Sequence, residues 1–257
     1  MSKLQGKRAL VTAGAQGIGL AISRQLIDAG CDVFVHYHSS AATAGELAER
    51  AKKAGRRYAS GQADLTTSEE SNRLVAEAVK FLGGLDILIN NAGSMIGRRS
   101  MAEGDDEFWS DVMSLNVGSV RRVTRACVPH LIAGSKAGGG ASIVNLSSLA
   151  ARNGGGPGAL AYATAKGAVL TMTRGLAKEL GPQGIRVNAL TPGLILGSQF
   201  HAIHTPPEAQ KSIIATIPLG RAGDIDDVAR AAVFLASEYD GFITGAALDI
   251  NGGVWGG

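Results

Sequence analysis

The sequence predicts an α/β fold, a doubly wound parallel sheet of about seven strands with helices on both faces, and three observations carry that prediction. Short, nearly continuous apolar runs alternate with helix-period segments along the whole chain, as strands covered on both faces require. The 36 glycines in 257 residues are dispersed without a repeat, which suits many tight strand-to-helix turns. No Pro- or Ser-rich linker divides the chain, and 45% apolar residues supply one large core. Residues 1–257 are therefore read as a single domain.

The elements follow in order. A buried strand at 8–12 passes through a glycine turn into a helix at 18–29, with Gly30 in the place of a C-cap glycine. A strand at 31–37, a helix at 41–54 ending on Gly55, and a third strand at 57–60 lead to Asp64. A helix at 68–81 precedes a fourth strand at 85–89, and two helices occupy 105–131 with Asn116 near their junction. A fifth strand at 141–146 ends before Ser148, a long helix runs from Tyr162 to Leu180, and a sixth strand at 185–190 leads to Thr191-Pro192-Gly193. Asp224 caps a helix at 225–236, before a last strand at 246–250. Right-handed winding of such units produces a Rossmann-type sheet.

Bulk properties exclude several functions. The formal charge is +3, with 25 basic and 22 acidic residues and no basic stripe or interleaved aromatics, so nucleic acid is not an expected partner. No apolar run approaches the ~20 residues needed to span a bilayer, and the chain enters its first strand directly. A cytoplasmic protein is expected. Cys31 and Cys127 each lie inside an apolar segment without metal spacing and read as buried reduced thiols.

The chemistry is concentrated in Tyr162-Ala163-Thr164-Ala165-Lys166 and in Ser148 upstream of it. Four residues apart on a helix, the phenol and the ammonium share a face, so the positive charge is expected to lower the phenol's pKa toward neutrality. A lone match to this spacing is weak. Here Ser148 ends a buried strand and Tyr162 starts a helix, the place where open α/β sheets hold ligands. At the other end of the chain, Gly14, Gln16, Gly17, Ile18 and Gly19 lie between the first strand and the first helix. Backbone N–H groups there can approach a pyrophosphate that the helix N-terminus also favours. The alternative is an ordinary glycine turn.

Taken together, these residues resemble the short-chain dehydrogenase/reductase family. Thr12 to Gly19 is similar to its glycine turn; Asn90-Asn91-Ala92-Gly93 follows the fourth strand; Asn116, Ser148, Tyr162 and Lys166 match its catalytic set; Pro192-Gly193, with Ile195 nearby, follows the sixth strand. One departure is Ala13, which stands where the family has its first glycine, with Gly14 beside it; a rearranged turn is expected there. The resemblance implies a carbonyl/alcohol oxidoreductase. Tyr162 would exchange the proton, Lys166 would tune it and hold the nicotinamide ribose, Ser148 would polarise the carbonyl, and Asn116 would hold a water linking Lys166 to solvent. Asn116 can also be read as a structural helix-junction residue. Asn91, Ala92 and Gly93 would line the cofactor, Asp64-Leu65 would contact adenine unless Asp64 is simply a helix cap, and a homotetramer, or else a dimer, is implied.

Cofactor choice rests on the end of the second strand. Tyr37, His38, Ser39 and Ser40 include no acid that would bind a ribose and repel a 2′-phosphate, so NADP is expected over NAD. His36 and His38 have no third ligand nearby for a metal, and none is expected. Two stretches flank the expected substrate pocket, Gly97-Arg98-Arg99 and Asn153-Gly154-Gly155-Gly156-Pro157-Gly158. An Arg fork with exposed backbone donors suits a carboxylate; a solvated Arg pair and a loop needing positive φ are the alternatives. Both stretches resemble those of bacterial reductases of 4-deoxy-hexoseulose uronate, the keto sugar acid released from alginate. The competing enzyme is a 3-oxoacyl carrier-protein reductase, for which Arg121, Arg122 and Arg125 would receive the acidic carrier. A non-catalytic dinucleotide-binding sensor would not need a tuned phenol. Residues 193–218, with His201, His204 and Pro206-Pro207, are expected to form a mobile substrate lid.

Overall fold

The computed structural model describes residues 4–39, 43–237 and 241–256. Its centre is a seven-stranded parallel sheet in the order β3-β2-β1-β4-β5-β6-β9. These strands are β1 (Arg8–Val11), β2 (Asp32–Tyr37), β3 (Tyr58–Gln62), β4 (Ile87–Asn90), β5 (Ala141–Leu146), β6 (Ile185–Pro192) and β9 (Ala247–Ile250). A two-stranded parallel sheet pairs β7 (Ile195–Leu196) with β8 (Gly223–Asp224).

Residue alternation decides which helices cover which face. Ala9, Val11, Val33, Val35, Ile87, Ile89 and Val144 pack on α1 (Gly17–Asp28), α2 (Ala44–Lys53) and α10 (Ile225–Ala236). Their neighbours Leu10, Phe34, Leu88 and Ile143 point the other way, onto α3 (Ser68–Leu82), α5 (Ser119–Gly134) and α7 (Leu160–Leu180). Every central strand is thus apolar on both sides, as a buried parallel sheet requires. Cys31 and Cys127 are free and buried in these layers, and burial pushes the Cys31 thiol up to about 12.

The structure shifts some expected boundaries. The third strand continues to Gln62, in register with Val33–Tyr37. Gly61 and Gln62 carry no apolar signal, yet Gly61 leaves room for the Phe34 ring, which a Cβ would approach to 3.0 Å. The helix expected from residue 41 starts at Ala44, its first expected residues lying outside the described ones. The expected pair of helices at 105–131 is one helical run: α4 (Asp106–Met113), a π-turn (Ser114–Gly118) and α5. In the π-turn the Ser119 N–H bonds back to the Ser114 carbonyl, while the Ser119 hydroxyl takes the Leu115 carbonyl. Hydrophobic spacing across a π-turn slips by one residue, and the sequence reads that slip as a break. Two short helices, α8 (Gln199–His204) and α9 (Pro207–Ile214), lie in the segment expected as a lid, and α6 (Ala150–Asn153) follows Ser148. No helix among the described residues is long and apolar enough to cross a membrane.

Candidate active site

β4 lies beside β1 although β2 and β3 intervene in sequence, so the connections leave in opposite directions there. A crevice opens at such a switch point, outside the C-terminal strand ends. It is a cavity of about 500 Å³, lined at one end by Ala13, Gln16, Gly17 and Ile18 and at the other by Ser148, Tyr162 and Lys166.

Thr12 joins the ends of β1 and β4: its Oγ1 accepts the Asn91 and Ala92 N–H groups at 2.9 and 3.0 Å. The Asn91 amide returns donors to the Thr12 and Ala13 carbonyls at 3.2 and 3.1 Å. Ala13 has φ 48°, a left-handed conformation uncommon outside glycine. The turn expected to rearrange therefore keeps a glycine-type conformation with alanine in it. Gly19 packs directly against this turn, since a Cβ there would lie 2.2 Å from the Ala13 carbonyl oxygen.

α3, α4 and α10 begin with their first turns capped by Thr67, Asp105 and Asp224. α1, like α6 and α7, has no side-chain cap and no acid in its first turn. An uncapped helix start, approached through close-packed glycine, suits the pyrophosphate of a dinucleotide. Tyr37 is half-buried and His38 and Ser39 are exposed at the adjoining end of β2; Ser40 lies outside the described residues. Asp64 turns its carboxylate onto the Thr66 N–H and hydroxyl at 2.9 and 2.7 Å, which holds it below its ordinary pKa. Leu65 is buried, and neither residue lines the cavity. Gly14, Gly19, Tyr37, His38, Ser39 and Ala92 are likewise not among its lining residues, whereas Asn91, Gly93, Pro192, Gly193 and Ile195 line it.

At the opposite end, β5 and α7 are stitched together. The Ser147 hydroxyl donates to the Lys166 carbonyl at 2.7 Å, and Lys166 Nζ donates to the Leu146 carbonyl at 2.9 Å. Ser148 Oγ accepts the Ala150 N–H at 3.1 Å, which starts α6. Burial pushes the Tyr162 phenol up to about 12, opposed by a hydrogen bond with Ser148. Burial likewise pulls Lys166 down to about 8. Lys166 Nζ is 5.7 Å from the Tyr162 ring centroid and donates to the Leu146 carbonyl, and burial, not the ammonium expected from the i, i+4 spacing, sets the direction of the phenol's shift.

Asn116, fully buried in the π-turn, spends both amide hydrogens on the Ser94 and Val112 carbonyls, at 2.8 and 2.9 Å. Its Oδ1 accepts the Ser94 N–H at 3.1 Å. The side chain thus clamps the Ser94 loop and has no amide hydrogen left for the expected water. Gly93 lies between this clamp and Lys166: a Cβ there would meet Asn116 Oδ1 at 2.7 Å and Lys166 Nζ at 2.9 Å.

The two arginines separate. Arg98 lines the cavity with Asn153, Gly155 and Gly156, and its guanidinium donates to the Pro157 and His204 carbonyls at 2.7 and 3.1 Å. Arg99 points elsewhere, pairing with Asp105 at 3.1 Å and lying over the Phe108 ring. Gly154 is outside the lining, in the left-handed position that ends α6.

The family model described as enoyl-(acyl carrier protein) reductase matches residues 12–255. The chain belongs to the short-chain dehydrogenase/reductase family. An uncharacterized oxidoreductase of Methylorubrum extorquens is 36% identical over 255 residues, 99% of this chain and 100% of its own. The 3-oxoacyl-[acyl-carrier-protein] reductase of Staphylococcus aureus is 34% identical over 249 residues, 97% of this chain and 98% of its own. Among solved structures, NADH-dependent reductase A1-R′, responsible for alginate metabolism, has a TM-score of 0.91 at 37% identity, with 100% of each chain covered.

In this short-chain dehydrogenase/reductase the sequence did not reveal the apolar wall of the cavity, formed by Met95, Leu194, Phe200 and Ile213. The Phe200 ring stands 5.6 Å from that of Tyr162. These residues lie on loops and short helices, where no periodicity marks an inward face. Among the described residues, no group of three or more His, Cys, Asp or Glu gathers to hold a metal ion.

Proposed function

We propose that this protein uses a reduced nicotinamide dinucleotide, NADPH in preference to NADH, to reduce a carbonyl of a sugar-derived keto acid such as 4-deoxy-hexoseulose uronate. One observation carries this reading: Ser148, Tyr162 and Lys166 converge on a cavity whose other end is the uncapped start of α1. The dinucleotide, when bound, supplies the hydride to the carbonyl carbon. Tyr162 gives its phenolic proton to the carbonyl oxygen, and the Ser148 hydroxyl hydrogen-bonds that oxygen. Lys166 holds the nicotinamide ribose, and Asn116 keeps the Ser94 loop and Gly93 against it. Residues 193–218 act as a lid. Exposed Phe234, Phe242 and Leu248 support assembly into a homotetramer.

The missing acid at the end of β2 favours a 2′-phosphate. Wild-type kcat/KM is expected to favour NADPH, and Tyr37→Asp to shift the ratio at least about tenfold toward NADH by like-charge repulsion. A wild-type preference for NADH would overturn the NADPH assignment; the resemblance to NADH-dependent reductase A1-R′ makes this measurement decisive.

The substrate class rests on Arg98, the arginine that reaches the cavity. An Arg–carboxylate pair in a closing site is stronger than one in open water, and remote binding of this kind orients the carbonyl. Arg98→Ala is expected to lower kcat/KM for the keto uronate about tenfold more than for its neutral methyl ester. Equal losses for both compounds would remove the carboxylate contact.

A second reading, reduction of 3-oxoacyl groups on a carrier protein, is favoured by the Staphylococcus aureus relative and by Arg121 and Arg125, exposed four residues apart on α5. Arg122 is engaged with the Leu65 and Ser114 carbonyls at 3.2 and 3.3 Å. Steady-state rates with 4-deoxy-hexoseulose uronate and a 3-oxoacyl thioester separate the two. A higher kcat/KM for the thioester would replace the first reading with the second.

A further inference from the structure

Ala13 poses a physical problem that the fold has to solve. An L-residue at φ 48° is strained because its Cβ crowds its own backbone, enough to move a two-state equilibrium by roughly a factor of ten. Its carbonyl cannot rotate freely either, because the Asn91 amide and the close-packed Gly19 both lie against it. What remains is its N–H, and that N–H points at an imidazole. Ala13 N donates to His36 Nδ1 at 3.0 Å, while Gly14 N donates to the His36 carbonyl at 2.9 Å. On the far side of the ring, His36 Nε2 faces the Ala63 carbonyl at 2.9 Å.

These partners define the ring's state. Nδ1 meets an N–H and must accept; Nε2 meets a carbonyl and must donate. His36 is therefore the neutral Nε2–H tautomer, 2% exposed, and burial holds its pKa below the ordinary value. The ring spans from the start of the turn to the end of β3; it does not itself line the cavity, but it holds Ala13, which does.

We propose that His36 is a positioning residue for the dinucleotide: its Nδ1 holds Ala13 in the left-handed conformation and so keeps Gln16 to Gly19 aligned toward the pyrophosphate. This rests on the dinucleotide-binding reading above and adds a residue to it. Without the imidazole acceptor, Ala13 loses the partner of its N–H and relaxes toward negative φ. Its carbonyl then swings away from Asn91 and Gly19, and the start of α1 shifts with it. Ser148, Tyr162 and Lys166 are held by β5 and α7, so they stay in place.

The test measures Kd for NADPH and NADH by fluorescence titration, together with KM and kcat. His36→Leu fills the space without an acceptor and is expected to raise Kd about tenfold, with kcat at saturating cofactor within about threefold of wild type. His36→Asn places Oδ1 where Nδ1 stood and is expected to keep Kd within about threefold of wild type. Ala13→Gly, added to His36→Leu, is expected to restore most of the affinity, since glycine adopts positive φ without strain. Unchanged Kd in His36→Leu, or no recovery with Ala13→Gly, would overturn the proposal. Should His36→Leu not fold, the wild-type ring still decides: long-range 1H–15N correlation at neutral pH is expected to show Nε2–H, and an Nδ1–H or doubly protonated ring would overturn it. Wild-type protein that binds neither dinucleotide would overturn the underlying reading and this one with it; wild type that binds while His36→Leu binds equally well overturns this one alone.

Discussion

Replacing Tyr162 by Phe is expected to lower kcat by about 10²–10⁴ while the Kd for the dinucleotide stays within about threefold of wild type, because only the proton donor is removed. The ring keeps its place: it is 8% exposed, packed with Met95, Phe108 and Val112, and stands beside Phe200. Removing the hydroxyl takes away a hydrogen bond with Ser148, but Ser148 remains tied to the Ala150 N–H. The measurement is steady-state reduction with saturating cofactor, alongside a binding titration. A variant that turns over within tenfold of wild type would remove Tyr162 from the chemistry.

The second large effect is expected at the opposite end of the cavity. Gly19→Ala would put a Cβ 2.2 Å from the Ala13 carbonyl oxygen, 2.9 Å from its carbon and 2.5 Å from Asn91 Nδ2. Two of these atoms are backbone, and the third is held by bonds to the Thr12 and Ala13 carbonyls. The turn or the start of α1 must therefore move. Overpacking of this kind costs about 1–3 kcal/mol, and the strain falls on the segment expected to meet the pyrophosphate. Kd for either dinucleotide should rise about 10- to 100-fold. Gly45→Ala in α2 is the control: nothing lies within 4 Å of its added Cβ, and loss of unfolded-chain entropy should leave stability unchanged or raised by up to about 1 kcal/mol. Near-normal affinity in Gly19→Ala would mean that the turn is not the cofactor seat.

Much of this architecture was legible beforehand because it is encoded by near neighbours. Ala9, Leu10 and Val11 assign the two faces of β1 by alternation, and Asp224 announces α10, where it forms a capping box with Asp227. Tyr162 and Lys166 share a face of α7 because a helix brings i and i+4 together. Less legible were the elements whose signal is weak or shifted: the two residues added to β3, the π-turn around Asn116, and the pairing of β7 with β8.

By itself, then, the sequence determined the sheet, its winding and the approach of one phenol, one ammonium and one hydroxyl to a strand end, since each depends on spacing within a few residues. Tertiary structure alone decided how those groups behave. It buries Tyr162 and Lys166 so that their pKa values move apart, through contacts with β5 about twenty residues away in sequence. It commits the Asn116 amide to the Ser94 loop, sends Arg98 into the cavity and its neighbour Arg99 to Asp105, and sets His36 under a left-handed Ala13. Desolvation, hydrogen-bond partners and the direction of a loop side chain depend on which distant segments arrive beside a residue, and local periodicity carries no information about that arrival.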